Sequence, residues 1–359
     1  MTKPAEKKRL LTGALAVCLL LLMITESEAA SAGIKEGLSL CAHTVIPALF
    51  PFMVLSSLLT ASGLVRPLGR LLSPLTRRLL GLGEEGASAL LLGLFCGFPV
   101  GASVSRSLYL RGEITREEFS TLLPLANNPS SAFLIGGVGL SLFSSRAFGR
   151  TLYISTLLSA LLTSIFLFRF RKKRKAKADE ARKQEPLSEP LPTVSFPEAV
   201  AASARQMMTV CAFVVFFSAL LSCLDEIFGS LLLSPSLRAL ICSLLELSSG
   251  MSEASLLPSL SAMLLCAFGA GWSGLSVHLQ LRALTSDCPA PYGLYLLFKL
   301  LQGLLNLLLL RLFLFLFPFS LSPSLPAAVP PLTPFSAVSL GLFGAGIIFS
   351  FRKPKKSLK

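Results

Sequence analysis

Residues 151–168, TLYISTLLSALLTSIFLF, run for eighteen positions without a charged side chain. A stretch of that length and character is close to what a helix needs to cross the hydrocarbon of a bilayer. Comparable apolar runs recur at 10–25, 44–59, 209–224, 292–317 and 335–351. Within lipid, every backbone N–H and C=O of such a run must be paired inside its own segment, which leaves the α-helix as its form. Composition agrees. The chain has 359 residues, 53% of them hydrophobic and only 14% charged, where a soluble domain carries about 25% charge. The sequence therefore predicts an all-α polytopic membrane protein with about eight membrane crossings.

The net charge of +14 is gathered at segment ends. Lys3, Lys7, Lys8 and Arg9 precede the first apolar run, nine Lys or Arg fall between residues 169 and 183, and Arg352, Lys353, Lys355 and Lys356 follow the last. Excess Lys and Arg beside spans marks the cytoplasmic side, so both termini and the central linker are expected inside. These clusters face anionic lipid headgroups, and nucleic acid is not an expected partner. The domain plan has five parts: an N-terminal helix over 1–32, a first repeat over 33–168, a basic linker over 169–197, a second repeat over 198–317, and a C-terminal helix with a basic tail over 318–359. The stretch 10–25 reads as a retained helix or as a signal peptide with SEAASAG as its cleavage region; a polytopic chain needs no separate signal. In 63–82, Arg66, Arg70, Arg77 and Arg78 alternate with leucines at helical spacing, the pattern of an amphipathic helix lying on the membrane surface.

Several apolar stretches are broken. FCGFPVGAS, residues 95–103, places Gly97, Pro99 and Gly101 within five positions. Asn127-Asn128-Pro129 interrupts 114–143, and Gly269-Ala-Gly271-Trp-Ser273-Gly274 interrupts the second half. A broken helix at membrane depth must be shielded by protein or must line a cavity. Residues 44–59 resemble 209–224, and Gly101-Ala-Ser-Val resembles Gly274-Leu-Ser-Val. With 86–111 re-entrant and 114–143 crossing, the two halves run antiparallel. That arrangement, an inverted repeat with paired breaks, points to a transporter site at the midplane.

A half-helix that starts after a break offers free N–H groups and the positive end of its dipole. Those donors gather near Ser103 and Arg106 in the first half and near Ser276, His278 and Gln280 in the second, an arrangement suited to a small carboxylate-bearing solute. Asn127, Asn128 and Ser130 either cap the following half-helix or bind solute or ion. Glu246, in SLLEL, is an intramembrane carboxylate that can carry a proton, pair with a cation such as Lys299, or sit at the interface, and Glu246 and Lys299 are the candidates for ion or proton coupling. Eight cysteines without a Cys-x-x-Cys spacing, most of them in apolar runs, read as packing residues. His43 and His278 form no zinc-protease motif, and no nucleophile–base pair, phosphate loop or cofactor motif is present. An enzyme, a metal site and a cofactor are not expected.

The segments VIPALFPFMVLSSLL, GLFCGFPVGA, LYLRGEITREE, LANNPSSAFLIGGVG, LLELSSG and GLSVHLQ, in this order, resemble the YlbJ-type sporulation integral membrane proteins that carry a nucleoside-recognition, or Gate, domain. The resemblance extends from about residue 33 to residue 316. It implies re-entrant hairpins like those of concentrative nucleoside transporters, and passage of dipicolinic acid across the outer forespore membrane during sporulation. It also carries Gly97, Pro99, Gly101, Asn127, Asn128, Glu246, Gly274, Ser276 and His278 over as site positions. The chain departs from the family's Asn-Asn-Ser-Gly-Pro at Asn127-Asn128-Pro129-Ser130-Ser131, where Pro129 supplies no N–H and moves the expected start of the next helix. A nucleoside carrier and a non-transporting scaffold for the spore envelope stand as alternatives.

Overall fold

The computed structural model describes residues 3–175, 194–229 and 234–317. The predicted C-terminal span over 335–351 and the middle of the basic linker lie outside the described residues. The described residues are mostly helical, with no strand among them. Helices α1 (Lys3–Thr25) and α2 (Ser27–Leu40) lead through a π-helical turn, Cys41–Val45, into α3 (Ile46–Ser62). The wide turn precedes Pro47, which brings no N–H to the ladder. Residues 27–62 form one apolar span, so the expected boundary between 32 and 33 falls inside a continuous helix. Helix α4 (Arg66–Leu80) follows, with Leu68, Leu71 and Leu75 exposed.

The remaining elements fall into two series with the same order. In the first half, α5 (Glu84–Cys96) and α6 (Val100–Leu110) pack against each other across the 97–99 turn, while α7 (Arg116–Ala126) runs on into a π-helical segment, Ala132–Leu142, without folding back. Helix α8 (Arg146–Lys175) then spans. In the second half, α9 (Phe196–Gly229) spans first. Helices α10 (Pro235–Leu245) and α11 (Leu247–Ser255) pack on each other about Glu246. Helix α12 (Ser259–Trp272) continues into α13 (Gly274–Leu284), and α14 (Tyr292–Leu316) closes the series. Each half thus holds a long span, a hairpin, a broken crossing and a closing span. The hairpins follow from length: the thirteen residues of α5 are too few to cross.

This order corrects one expectation. The Gly97–Pro99 turn corresponds to Glu246, and Asn127–Pro129 corresponds to Ser273–Gly274. Matching Gly101 with Gly274 pairs a hairpin with a broken crossing, because short glycine-rich turns look alike whatever element they interrupt.

Five stretches among the described residues are long and apolar enough to span: 27–62, 146–169, 196–227, 259–284 and 292–316. Helices α4 and α5, bent by 93°, make a sixth if counted together, and Arg9–Thr25 is a shorter apolar helix. The two halves are joined most extensively where α2 lies along α9. Gly33 and Gly37 permit that approach: a Cβ on Gly33 would stand 2.6 Å from Ser218 O, and one on Gly37 2.9 Å from Val215 Cα. Small residues four apart let helix backbones close on each other where lipid gives no hydrophobic drive.

Candidate functional site

The breaks interlock within each half. Gly97 has φ +70°, and a Cβ there would come within 2.5 Å of Ser130 N. Phe98 N donates to Asn128 O at 2.8 Å, tying the hairpin turn to the broken crossing. Gly101 lies so close to the Ala126 carbonyl that a side chain would overlap it. Ser130 supplies the cap of the next half-helix, its Oγ accepting from Phe133 N at 3.1 Å. Neither asparagine takes that role, since the chain turns back toward helix immediately after Pro129.

In the second half, Glu246 is extended between α10 and α11, and its carboxylate accepts from Ser249 N at 2.7 Å. It caps α11 and makes no ion pair with Lys299. Gly274, at φ +80°, brings its Cα against this turn; a Cβ would stand 2.9 Å from Leu247 N. Ser273 also has positive φ, and Trp272 Nε1 donates to Leu244 O at 3.0 Å. Gly271 packs against the backbone of Gly303 on α14. Every carbonyl and N–H bonded across these turns is one that the lipid could not have satisfied.

A buried polar layer joins the halves. Asn127 Nδ2 donates to Tyr295 OH at 3.3 Å, and the same hydroxyl lies 3.1 Å from His278 Nδ1. The His278 ring stands edge-on between Tyr295 and Trp272. Lys299, Gln302 and Asn306 continue this face of α14 toward Asn128, Thr156 of α8 and Ala267 O of α12.

A cavity of about 470 Å³ opens beside this layer, bounded by the start of α6, by α9 and by α13. Its polar lining is Ser103, Asn127, Arg205, Gln206, Thr209 and Gln280. A second cavity of about 220 Å³ adjoins it through Ser103 and Gln206 and reaches Arg111. Asn127 and Gln280 are buried, and their Oδ1 and Oε1 have no hydrogen-bond partner; the Gln280 amide nitrogen is committed to Ser276 Oγ at 3.1 Å. No carboxylate among the described residues lines either cavity. Arg205 is in no ion pair among the described residues.

Of the residues singled out in the sequence, Pro99, Ser103, Asn127 and Gln280 reach the cavity. His278 stands behind it through Tyr295. Gly97, Gly101, Asn128, Ser130, Gly271, Ser273, Gly274 and Glu246 belong to the breaks and their close contacts, and Ser276 holds the Gln280 amide nitrogen from within α13. Arg106 does not line it. Its guanidinium holds Asp287, in the loop between α13 and α14, in a bidentate pair, one arm at 2.8 Å. These hydrogen bonds keep the Asp287 carboxyl below its ordinary range. The pair is half-exposed and worth little by itself, but it bridges the first-half hairpin to the second half. We therefore expect Arg106→Gln to lower the Tm by no more than about 3 °C. The swap Arg106→Asp with Asp287→Arg should recover what either single substitution loses, measured as the Tm.

Reasoning from sequence passed over Arg205, Gln206 and Thr209 of α9, and Tyr295, Gln302 and Asn306 of α14. A signal existed for the latter: with Lys299 they fall at spacings of four, three and four, one face of a helix.

Fold and site together define a polytopic helical membrane protein whose two halves enclose a polar cavity between broken helices. Residues 42–168 match the Gate family, described as nucleoside recognition. The chain is 25% identical over 317 residues to the sporulation integral membrane protein YlbJ of Bacillus subtilis, covering 78% of this chain and 76% of that one. The match bears out the resemblance seen in the sequence. No solved structure matches.

Proposed function

We propose that the protein is a carrier for a small organic anion, with its binding site in the cavity between the two halves. The observation that carries this reading is the lining of that cavity. Arg205, in no ion pair among the described residues, lines it together with the first turn of α6, and no carboxylate among the described residues opposes a negative solute there. The positive end of α6 and a guanidinium act on the same volume. A cavity of this size lies within the range of small-molecule sites, about 300–1,000 Å³.

Within that class we propose dipicolinate as the solute and the outer forespore membrane as the location, with both termini cytoplasmic. The family resemblance supports the substrate, and the basic termini and linker support the orientation. Counting 116–142 as a crossing and α5–α6 as re-entrant, the spans 27–62 and 196–227 run in opposite directions. That makes residues 33–168 and 198–317 inverted Gate-like repeats, the arrangement that permits alternating access around a fixed site.

A nucleoside is the second reading. It is favoured by the Gate description and by the Asn127 and Gln280 amides in the cavity wall, groups of the kind that hydrogen-bond a base or a ribose. Proteoliposomes containing the purified protein, offered labelled dipicolinate or labelled uridine, separate the two. Uptake of dipicolinate that unlabelled uridine does not inhibit supports the anion carrier. The reverse pattern supports the nucleoside, and no uptake of either favours a membrane scaffold.

A further inference from the structure

The Lys299 side chain is fully buried and makes no ion pair among the described residues. Its ammonium has three protons to donate, and three oxygens receive them: Asn127 O at 3.0 Å, Asn128 Oδ1 at 3.1 Å and Gln302 Oε1 at 2.9 Å. We infer that the Lys299 ammonium is a tethered substitute for a monovalent metal ion, occupying an oxygen-lined cation site at the end of α7 and so making the carrier independent of alkali cations.

Three features make this a cation site and not a chance burial. First, the oxygens are held in place by other bonds. Asn128 Nδ2 donates to Leu125 O at 2.6 Å, and Gln302 Nε2 donates to Asn128 Oδ1 at 2.7 Å. Both amides therefore present oxygen to the ammonium. Second, Asn127 O directly follows the last residue of α7, where carbonyls lack intrahelical partners and the helix dipole is negative. C-terminal ends of broken helices are where transporters of this general architecture hold coupling cations. Third, the surrounding groups are neutral oxygens without carboxylates, which suits a single positive charge; a divalent ion draws on carboxylate ligands. Burying a charge costs several kcal/mol unless its surroundings repay it, and these oxygens are what repays it. The four-carbon stem fixes the charge to α14, so it cannot travel with the solute.

Independence from alkali cations rests on the carrier reading above; the cation site does not, and the experiment reads the site without transport. Full-length protein in detergent is melted in sodium, potassium or ammonium chloride, with choline chloride at equal ionic strength as control. Wild type is expected to show the same Tm in all four. Lys299→Ala, which removes the ammonium and leaves the oxygens, is expected to gain about 3 °C or more in at least one small cation over choline, with saturation. Lys299→Met, which keeps the stem and loses the charge, is expected to stay flat, as is Lys299→Ala combined with Asn128→Leu. Folded Lys299→Ala protein indifferent to all the salts would overturn the inference. So would a sodium- or potassium-specific rise in wild type, or failure to recover Lys299→Ala protein in any of the salts.

Discussion

Gly274→Leu is expected to leave little properly folded protein in the membrane. The residue sits at φ +80°, where any side chain costs about 1–2 kcal/mol. Its missing Cβ would stand 2.9 Å from Leu247 N and 3.3 Å from the Glu246 backbone. Those atoms belong to the turn between α10 and α11, where Glu246 already caps α11, so they cannot retreat without undoing the cap. Overpacking of this kind adds about 1–3 kcal/mol. The sum, about 2–5 kcal/mol, is a large part of the 5–15 kcal/mol that holds a typical domain together. The measurement is the yield and Tm of monodisperse protein after solubilisation. Gly293→Ala is the control, because nothing lies within 4 Å of where its Cβ would be. Equal yields and melting temperatures for the two variants would mean that the α12–α13 break is not locked to the α10–α11 turn.

The same interlock explains how far the sequence could be read. Long apolar runs fixed the helices, and the broken stretches were visible as Gly-Pro and Asn-Asn-Pro clusters. Partner choice was not visible: Phe98 N meeting Asn128 O, or Gly274 meeting Leu247, joins residues far apart in sequence through backbone atoms that every residue shares. Arg106 drew attention because it follows a break, yet Asp287 takes its charge. Arg205 was overlooked because an Arg near the end of a span reads as an interfacial anchor. Only the packing of α9 against α13, with α6 across the cavity, places it in the lining. The polar face of α14 was legible by its period but was overshadowed by the leucines around it.

Arg205 therefore carries the second large effect. If the solute is an anion, Arg205→Gln removes the one charge that lines this cavity among the described residues and leaves a shorter, neutral polar side chain. Hydrogen bonds to charged groups contribute about 1.5–3 kcal/mol, so dipicolinate uptake should fall by about 10- to 150-fold, mostly as a raised KM. Arg205→Lys keeps the charge but loses the planar fork that matches a carboxylate, and should fall between the two. Arg205 is exposed along the cavity and enters no ion pair among the described residues. Its loss therefore should not lower the Tm, in contrast with Gly274→Leu. A neutral nucleoside would respond weakly to Arg205→Gln and more strongly to Gln280→Leu, which deletes an unpartnered buried acceptor. The ratio of these two effects on uptake thus reports the charge of the transported solute: a site for an anion depends on the guanidinium of α9, and a site for a nucleoside depends on the amide of α13.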